Sequence, residues 1–102
     1  MTNEETFTKD MLPDQIYQLQ IDDPDLDYVM ANESALKKAK EVGSDPMLLS
    51  CYEKKTGRYF PDIEGCGVGK PSWITYAESR GANITVDIND GAYIFIYYDF
   101  VK

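Results

Sequence analysis

Apolar and polar residues alternate most regularly near the C-terminal end of the chain. Isoleucine and valine alternate with polar residues over 83–89, and an aromatic-rich apolar run follows over 92–101. The Asp90-Gly91 pair between the two segments is typical of a two-residue type I′ turn, in which both central residues need positive φ. The pattern therefore predicts a C-terminal β-hairpin in which Asn89 pairs with Ala92.

The register of this hairpin assigns its side chains to two faces. One face receives six apolar side chains, and we expect it to lie beneath a helix: Ile84, Val86, Ile88, Tyr93, Phe95 and Tyr97. On the other face, the second strand contributes an apolar stripe of four residues: Ile94, Ile96, Tyr98 and Phe100. Two interpretations of this stripe remain open. Either residues 72–81 or the N-terminal segment cover it, or it docks a protein partner or a second copy of the chain.

A helical period precedes the hairpin. Apolar residues recur at helical spacing over about 24–42: Leu26, Val29, Met30, Leu36, Ala39 and Val42. Asp22 and Asp23 before Pro24 are typical of a helix start, and Gly43 after three lysines is typical of a helix end. The pattern predicts one long amphipathic helix over about 24–42.

Shorter apolar patterns predict the remaining elements. Strands are predicted over 15–21 and 47–53, with a short return strand at Tyr59-Phe60. Residues 72–81 fit either a strand or a short helix with Gly81 at its end, and we favour the helix. The expected fold is α+β: a two-layer sandwich of one long helix on a mostly antiparallel sheet, forming a single domain over 14–102 behind a flexible acidic arm at 1–13.

Charge is distributed unevenly along the chain. The net charge is −8, and it arises entirely before residue 34, since the acids and bases of the remainder are equal in number. An acidic chain repels phosphate backbones and anionic membrane surfaces. We therefore expect neither nucleic acid nor a membrane as partner.

Composition also excludes several kinds of chemistry. The chain has two cysteines and no histidine, which is too few nitrogen and sulfur ligands for a structural zinc site. The absence of histidine removes every Ser-His or Cys-His nucleophile arrangement. No secretory signal or membrane-spanning run is visible, so a cytoplasmic protein is expected. We predict no cofactor, no metal and no catalytic activity.

A glycine-rich loop over 65–72 carries the one candidate ligand site. It departs from the phosphate-binding loop pattern because Pro71 occupies the position of the required hydroxyl. The glycine amides, Lys70 and Ser72 would suit an anion if Ser72 begins a helix. Cys66 lies between two glycines and near Lys70, a setting that lowers a thiol pKa. Cys51, in an apolar strand, is predicted to be inert.

Three functional hypotheses follow from the sequence. The preferred one is a small, non-catalytic protein-binding module whose acidic N-terminal third attracts a basic partner. The second is an accessory protein for a small anionic ligand or for redox chemistry, using Cys66, Lys70 and Ser72. The third is an acidic mimic of nucleic acid that inhibits a basic protein.

Overall fold

A computed structural model of the chain describes residues 16–60 and 72–100. These residues form five strands and two helices, in this order: β1 (Ile16–Leu19), α1 (Tyr28–Val42), β2 (Pro46–Glu53), β3 (Arg58–Phe60), α2 (Ser72–Ser79), β4 (Ile84–Ile88) and β5 (Tyr93–Asp99). The chain is therefore an α+β domain with a mixed sheet. The predicted arm at 1–13 lies outside the described residues.

The five strands form one sheet in the order β1-β4-β5-β2-β3. Three of its pairings are antiparallel, and β1 pairs with β4 in parallel. Between β2 and β5 the register shifts, because Leu48 pairs with Tyr97 while Ser50 pairs with Ile96. The extra residue is Leu49, which is buried on the same side of the sheet as α2.

Both faces of the sheet are covered, which corrects the predicted two-layer sandwich. On one face, α1 contributes Ala31, Ala35 and Ala39 to a core with the six apolar residues of the β4–β5 hairpin. On the other face, α2 contributes Trp73, Ile74 and Ala77 to a second core. The favoured helix over 72–81 is confirmed as α2, but the predicted architecture had placed only the long helix on the sheet.

The hairpin has the expected strand register but a different turn. Ile88 pairs with Tyr93, and the alternation continues down both strands. The predicted pairing of Asn89 with Ala92 is absent, since the Ala92 amide donates to the Ile88 carbonyl at 3.0 Å and closes a four-residue loop. Asp90 and Gly91 have the expected positive φ, and Asn89 has positive φ as well. Its side chain bonds the backbone of Ile21 through both its oxygen (2.7 Å) and its nitrogen (3.0 Å), which ties the turn to the chain following β1.

Helix α1 begins later than the sequence suggested. Asp27 is its N-cap, and the Asp27 carboxylate accepts a hydrogen bond of 3.0 Å from the Met30 amide. The preceding acids belong to a separate turn, in which the Asp23 side chain accepts from the Asp25 amide at 2.9 Å. Several aspartates here suit the N-cap position, so sequence alone placed the start too early.

Helix α2 is followed by Gly81, which ends it as the sequence predicted. Gly81 has φ +84, and its amide donates to the Glu78 carbonyl. The next amide, from Ala82, donates to the Ala77 carbonyl. These two bonds form a Schellman motif, which requires a left-handed residue that glycine adopts without steric cost.

Candidate functional site

The predicted apolar stripe of β5 is largely buried. Ile94 and Ile96 are both 0% exposed and pack beneath Trp73 of α2. Helix α2 covers these two residues, as the alternative expectation had it, so they do not form an exposed docking stripe. Only the end of the stripe reaches the surface, where Tyr98 packs edge-on against the exposed Phe100 at 4.9 Å.

The glycine loop can be assessed only at its last residue. Ser72 begins α2, as the anion-site hypothesis required. Cys66 and Lys70 lie outside the described residues. The predicted ligand and redox roles of this loop therefore stay predictions.

A cleft that the sequence did not reveal opens where α1 begins, beside β2 and β3. Its volume is about 310 Å³, and six side chains line it: Tyr28, Cys51, Glu53, Arg58, Tyr59 and Phe60. Pairing of β2 with β3 places Cys51 opposite Phe60 and Glu53 opposite Arg58. Because paired residues share a face of the sheet, the side chains of these two pairs lie on one face, where they line the cleft together with Tyr28. The cleft lies between the first residue of the helix and this edge of the sheet.

Aromatic side chains at the entrance of the cleft are exposed. Tyr28 is 38% exposed and Phe60 is 56% exposed. The Tyr28 ring packs on Phe95 of the core with 5.7 Å between the ring centroids, so its orientation is supported from below. Two partly exposed rings beside a concave space are typical of a recognition site for an apolar or planar group.

Two of the polar groups that line the cleft, the Tyr28 hydroxyl and the Cys51 thiol, are uncharged at neutral pH. The Tyr28 hydroxyl and the Cys51 sulfur lie 3.5 Å apart. Burial, and next the hydrogen bond with Cys51, raise the pKa of Tyr28 to about 12. Burial also raises the pKa of Cys51, against the opposing effects of hydrogen bonds with Tyr28 and with the Phe60 backbone. A protonated thiol is a poor nucleophile, which fits the expectation that Cys51 is inert.

A second hydroxyl, that of Tyr97, lies near this pair. Tyr97 is 1% exposed, and its hydroxyl has no hydrogen-bond partner among the described residues. Burial, followed by the neighbouring Tyr28 and Cys51, raises its pKa. A buried hydroxyl without a partner costs about 1–3 kcal/mol, so such groups in native proteins call for an explanation.

One acidic and one basic side chain line the cleft, and a further carboxylate lies nearby. Burial, and then the charges of Glu53 and Asp27, raise the pKa of Tyr93, which places both carboxylates near that hydroxyl. Arg58 stands opposite Glu53 in the β2–β3 register and balances its charge. The acidic segment, defined here as residues 22–27, contains four exposed aspartates, and one of them, Asp27, lies near Tyr93.

Sequence reasoning missed this site because its members come from separate elements. The return strand at Tyr59-Phe60 was predicted, and its pairing with β2 already places Phe60 beside Cys51. The position of Tyr28 depends on the true start of α1, which the run of aspartates concealed. The one available signal in the sequence was a tyrosine directly after an aspartate that could cap a helix.

The reactivity of Cys51 tests the description of the cleft. In a Cys66→Ser variant at neutral pH, we expect a thiol reagent to label Cys51 at least about tenfold more slowly in the native protein than in the same protein unfolded in urea. The reason is that each unit of pKa lowers the thiolate fraction about tenfold, and burial adds steric protection. Labelling followed by mass spectrometry measures both rates, and equal rates would contradict a buried thiol.

No helix within 16–60 or 72–100 has both the length and the apolar character needed to cross a membrane.

Comparison with known proteins identifies relatives of this fold. An uncharacterized protein from Archaeoglobus fulgidus is 39% identical over 66 residues, which are 62% of this chain and 70% of that protein. The crystal structure of a novel protein from the same archaeon superposes with a TM-score of 0.74 at 27% identity, covering 88% of this chain and 99% of the other. A model of a domain of unknown function, DUF5619, matches residues 14–97. The match spans most of the chain, and the chain therefore belongs to the DUF5619 family.

Proposed function

We propose that this protein is a non-catalytic protein-binding module that recognises a basic partner. The observation that carries the proposal is the position of the acidic segment, which leads along the chain directly into the exposed ring of Tyr28 at the entrance of the cleft. Fields from clustered surface charges steer an oppositely charged partner, and exposed aromatic residues supply contact area. Electrostatic attraction and apolar contact therefore meet at one surface.

The pKa values of the cleft support binding rather than catalysis. A general acid or base works best when its pKa lies near the operating pH. The shifts of Tyr28 and Cys51 move both groups away from neutrality. They make these groups hydrogen-bonding partners that keep their protons while a ligand binds.

Removing charge from the acidic segment tests the proposal. We expect the double variant Asp22→Asn, Asp25→Asn to lose capture of basic proteins from the native cell extract. These carboxylates are exposed, and Asp27 is kept because it caps α1. Capture by the unchanged protein is expected at about 0.1 M salt and not at about 1 M, because the Debye length falls from about 10 Å to about 3 Å.

A matched variant controls for the loss of net charge. The pair Glu41→Gln, Asp45→Asn also removes two carboxylates, but at and just beyond the C-terminal end of α1. We expect this variant to keep its basic partners. Equal loss in both double variants would show that only overall charge matters, and capture that resists high salt would contradict the proposal. Release of the partner by added DNA would favour the nucleic-acid mimic instead.

A further inference from the structure

We propose that the cleft binds a free α-amino acid with an apolar side chain, in its zwitterionic form. This inference goes beyond the proposed function and does not depend on it, because the ligand occupies the cleft and leaves the acidic segment exposed. It rests on the composition of the lining, which combines one carboxylate, one guanidinium and an apolar surface beside them.

Two opposite charges line the cleft from directly opposed positions of the sheet. Glu53 on β2 pairs with Arg58 on β3, and both side chains contribute to the lining. The Cβ atoms of directly opposed residues in antiparallel strands are about 4.5–5.5 Å apart. Within 16–60 and 72–100, no ion pair joins the two side chains. An ammonium group and a carboxylate carried by one carbon atom are therefore close enough together to meet both charges at once.

The surroundings of the two charged groups differ, and this difference orients the ligand. Glu53 is partly buried, and its carboxylate accepts a hydrogen bond of 2.9 Å from the Thr56 hydroxyl and bonds the Tyr93 hydroxyl as well. Asp27 lies near the same tyrosine and adds negative charge at this end. Arg58 is exposed on the edge strand of the described sheet. The ammonium group is therefore expected at Glu53, and the carboxylate at Arg58 toward solvent.

The apolar part of the lining suits the side chain of the ligand. Phe60 stands opposite Cys51 in the β2–β3 register, and the Tyr28 hydroxyl lies 3.5 Å from the Cys51 sulfur, so both aromatic residues adjoin the same buried thiol. Phe60 is 56% exposed, and an apolar group placed on its ring removes that surface from water. The cleft volume of about 310 Å³ lies at the lower end of the range for ligand pockets, about 300–1,000 Å³, which favours a ligand of amino-acid size.

The charges of the lining disfavour simple ions. An organic anion meets Arg58 but is repelled by Glu53 and by the nearby Asp27. A cation meets these two carboxylates but is repelled by Arg58. Like charges placed side by side in a binding site weaken binding, whereas complementary charges favour it. A zwitterion satisfies both groups and brings no net charge into the cleft.

Four small molecules test the inference on the full chain. The probes are L-phenylalanine, N-acetyl-L-phenylalanine, L-phenylalanine amide and glycine, each titrated into the isotope-labelled protein at low salt and followed by amide NMR shifts. The second probe lacks the ammonium group, the third lacks the carboxylate and the fourth lacks the apolar side chain. We expect L-phenylalanine to shift the amides of Cys51, Glu53 and Phe60. Each of the other three is expected to bind about tenfold or more weakly, since it loses one of the three contacts.

Variants of the two charged residues assign each contact to its partner. Arg58→Gln is expected to remove the difference in affinity between L-phenylalanine and its amide, and Glu53→Gln the difference between L-phenylalanine and its N-acetyl derivative. A general loss of structure would weaken all the probes alike. The control is Lys55→Gln, which removes an exposed positive charge from the turn between β2 and β3 and does not touch the cleft. We expect this variant to bind every probe as the unchanged protein does.

The possible failures are distinguishable. If millimolar L-phenylalanine shifts no amide of the cleft, the inference is overturned, while the basic-partner function is tested separately by capture through the acidic segment. If all three phenylalanine compounds bind equally, the cleft recognises only a ring, and zwitterion recognition is wrong. If the amide binds more tightly than L-phenylalanine, the cleft takes a cation, which contradicts this inference and supports a basic side chain of the partner as the occupant.

Discussion

The variant Ile96→Asp is expected to be unfolded at room temperature. Ile96 is 0% exposed, at the centre of the sheet beneath α2, and no cation among the described core residues is available to pair with a carboxylate there. The variant loses the packing of a buried isoleucine, about 2–5 kcal/mol, and adds the cost of burying a charge. The sum is comparable with the total stability of a small domain, about 5–15 kcal/mol.

Circular dichroism and urea denaturation measure this effect, and the residue just after the same strand provides a control. Phe100 is four residues further along and 64% exposed. We expect Phe100→Asp to lower the free energy of unfolding by at most about 1.5 kcal/mol, because it loses only the edge-on contact with Tyr98. A folded Ile96→Asp protein with altered assembly would mean that the β5 stripe is an interface after all.

The second large effect is expected at Asp99. This residue is 1% exposed, and its carboxylate accepts hydrogen bonds from the amides of Ser44 (2.5 Å) and Asp45 (3.3 Å), just after α1. Its own amide donates to the Asn83 side chain at 3.0 Å. Hydrogen bonds to charged groups contribute about 1.5–3 kcal/mol each, so we expect Asp99→Ala to lower the free energy of unfolding by about 3 kcal/mol or more.

Gly43 provides the cross-check on this arrangement. A Cβ atom at this position would collide with the Asp99 carboxylate and come within 3.1 Å of Ile84. We expect Gly43→Ala to cost about 1–3 kcal/mol through overpacking. In the Asp99→Ala background the collision is gone, so the same substitution should cost less, and urea denaturation of the four proteins measures the coupling. Strict additivity would contradict the close approach.

The end of α1 at Gly43 was predicted correctly, but the reason why this position needs glycine is not the usual one. Glycine after the lysine-rich end of α1 correctly predicted the helix end, and a glycine that ends a helix usually does so in a left-handed conformation. The φ of Gly43 is −127, which any residue adopts. The requirement for glycine arises from Asp99, which lies 56 residues away in the chain and which no local pattern connects to it.

Periodic features of the fold were predictable, and contacts between distant elements were not. Alternation in the C-terminal strands was enough to place Val86 opposite Phe95, because a slip of one residue would turn every apolar side chain outward. Whether a second helix covers the other face of the sheet depended on how residues 72–81 fold. Helix α2 has only eight residues, which are too few turns for a clear helical period in the sequence. Predicting the cleft from the sequence required both the true start of α1 and the pairing of β2 with β3.

The parallel pairing of β1 with β4 has a consequence for how this chain folds. Ile16 pairs with Thr85, and within the described sheet β4 is the only neighbour of β1. Within the described residues, β1 therefore has no strand to pair with until β4 is in place. Contacts across so long a separation close late, since the entropy of loop closure must be overcome before they form.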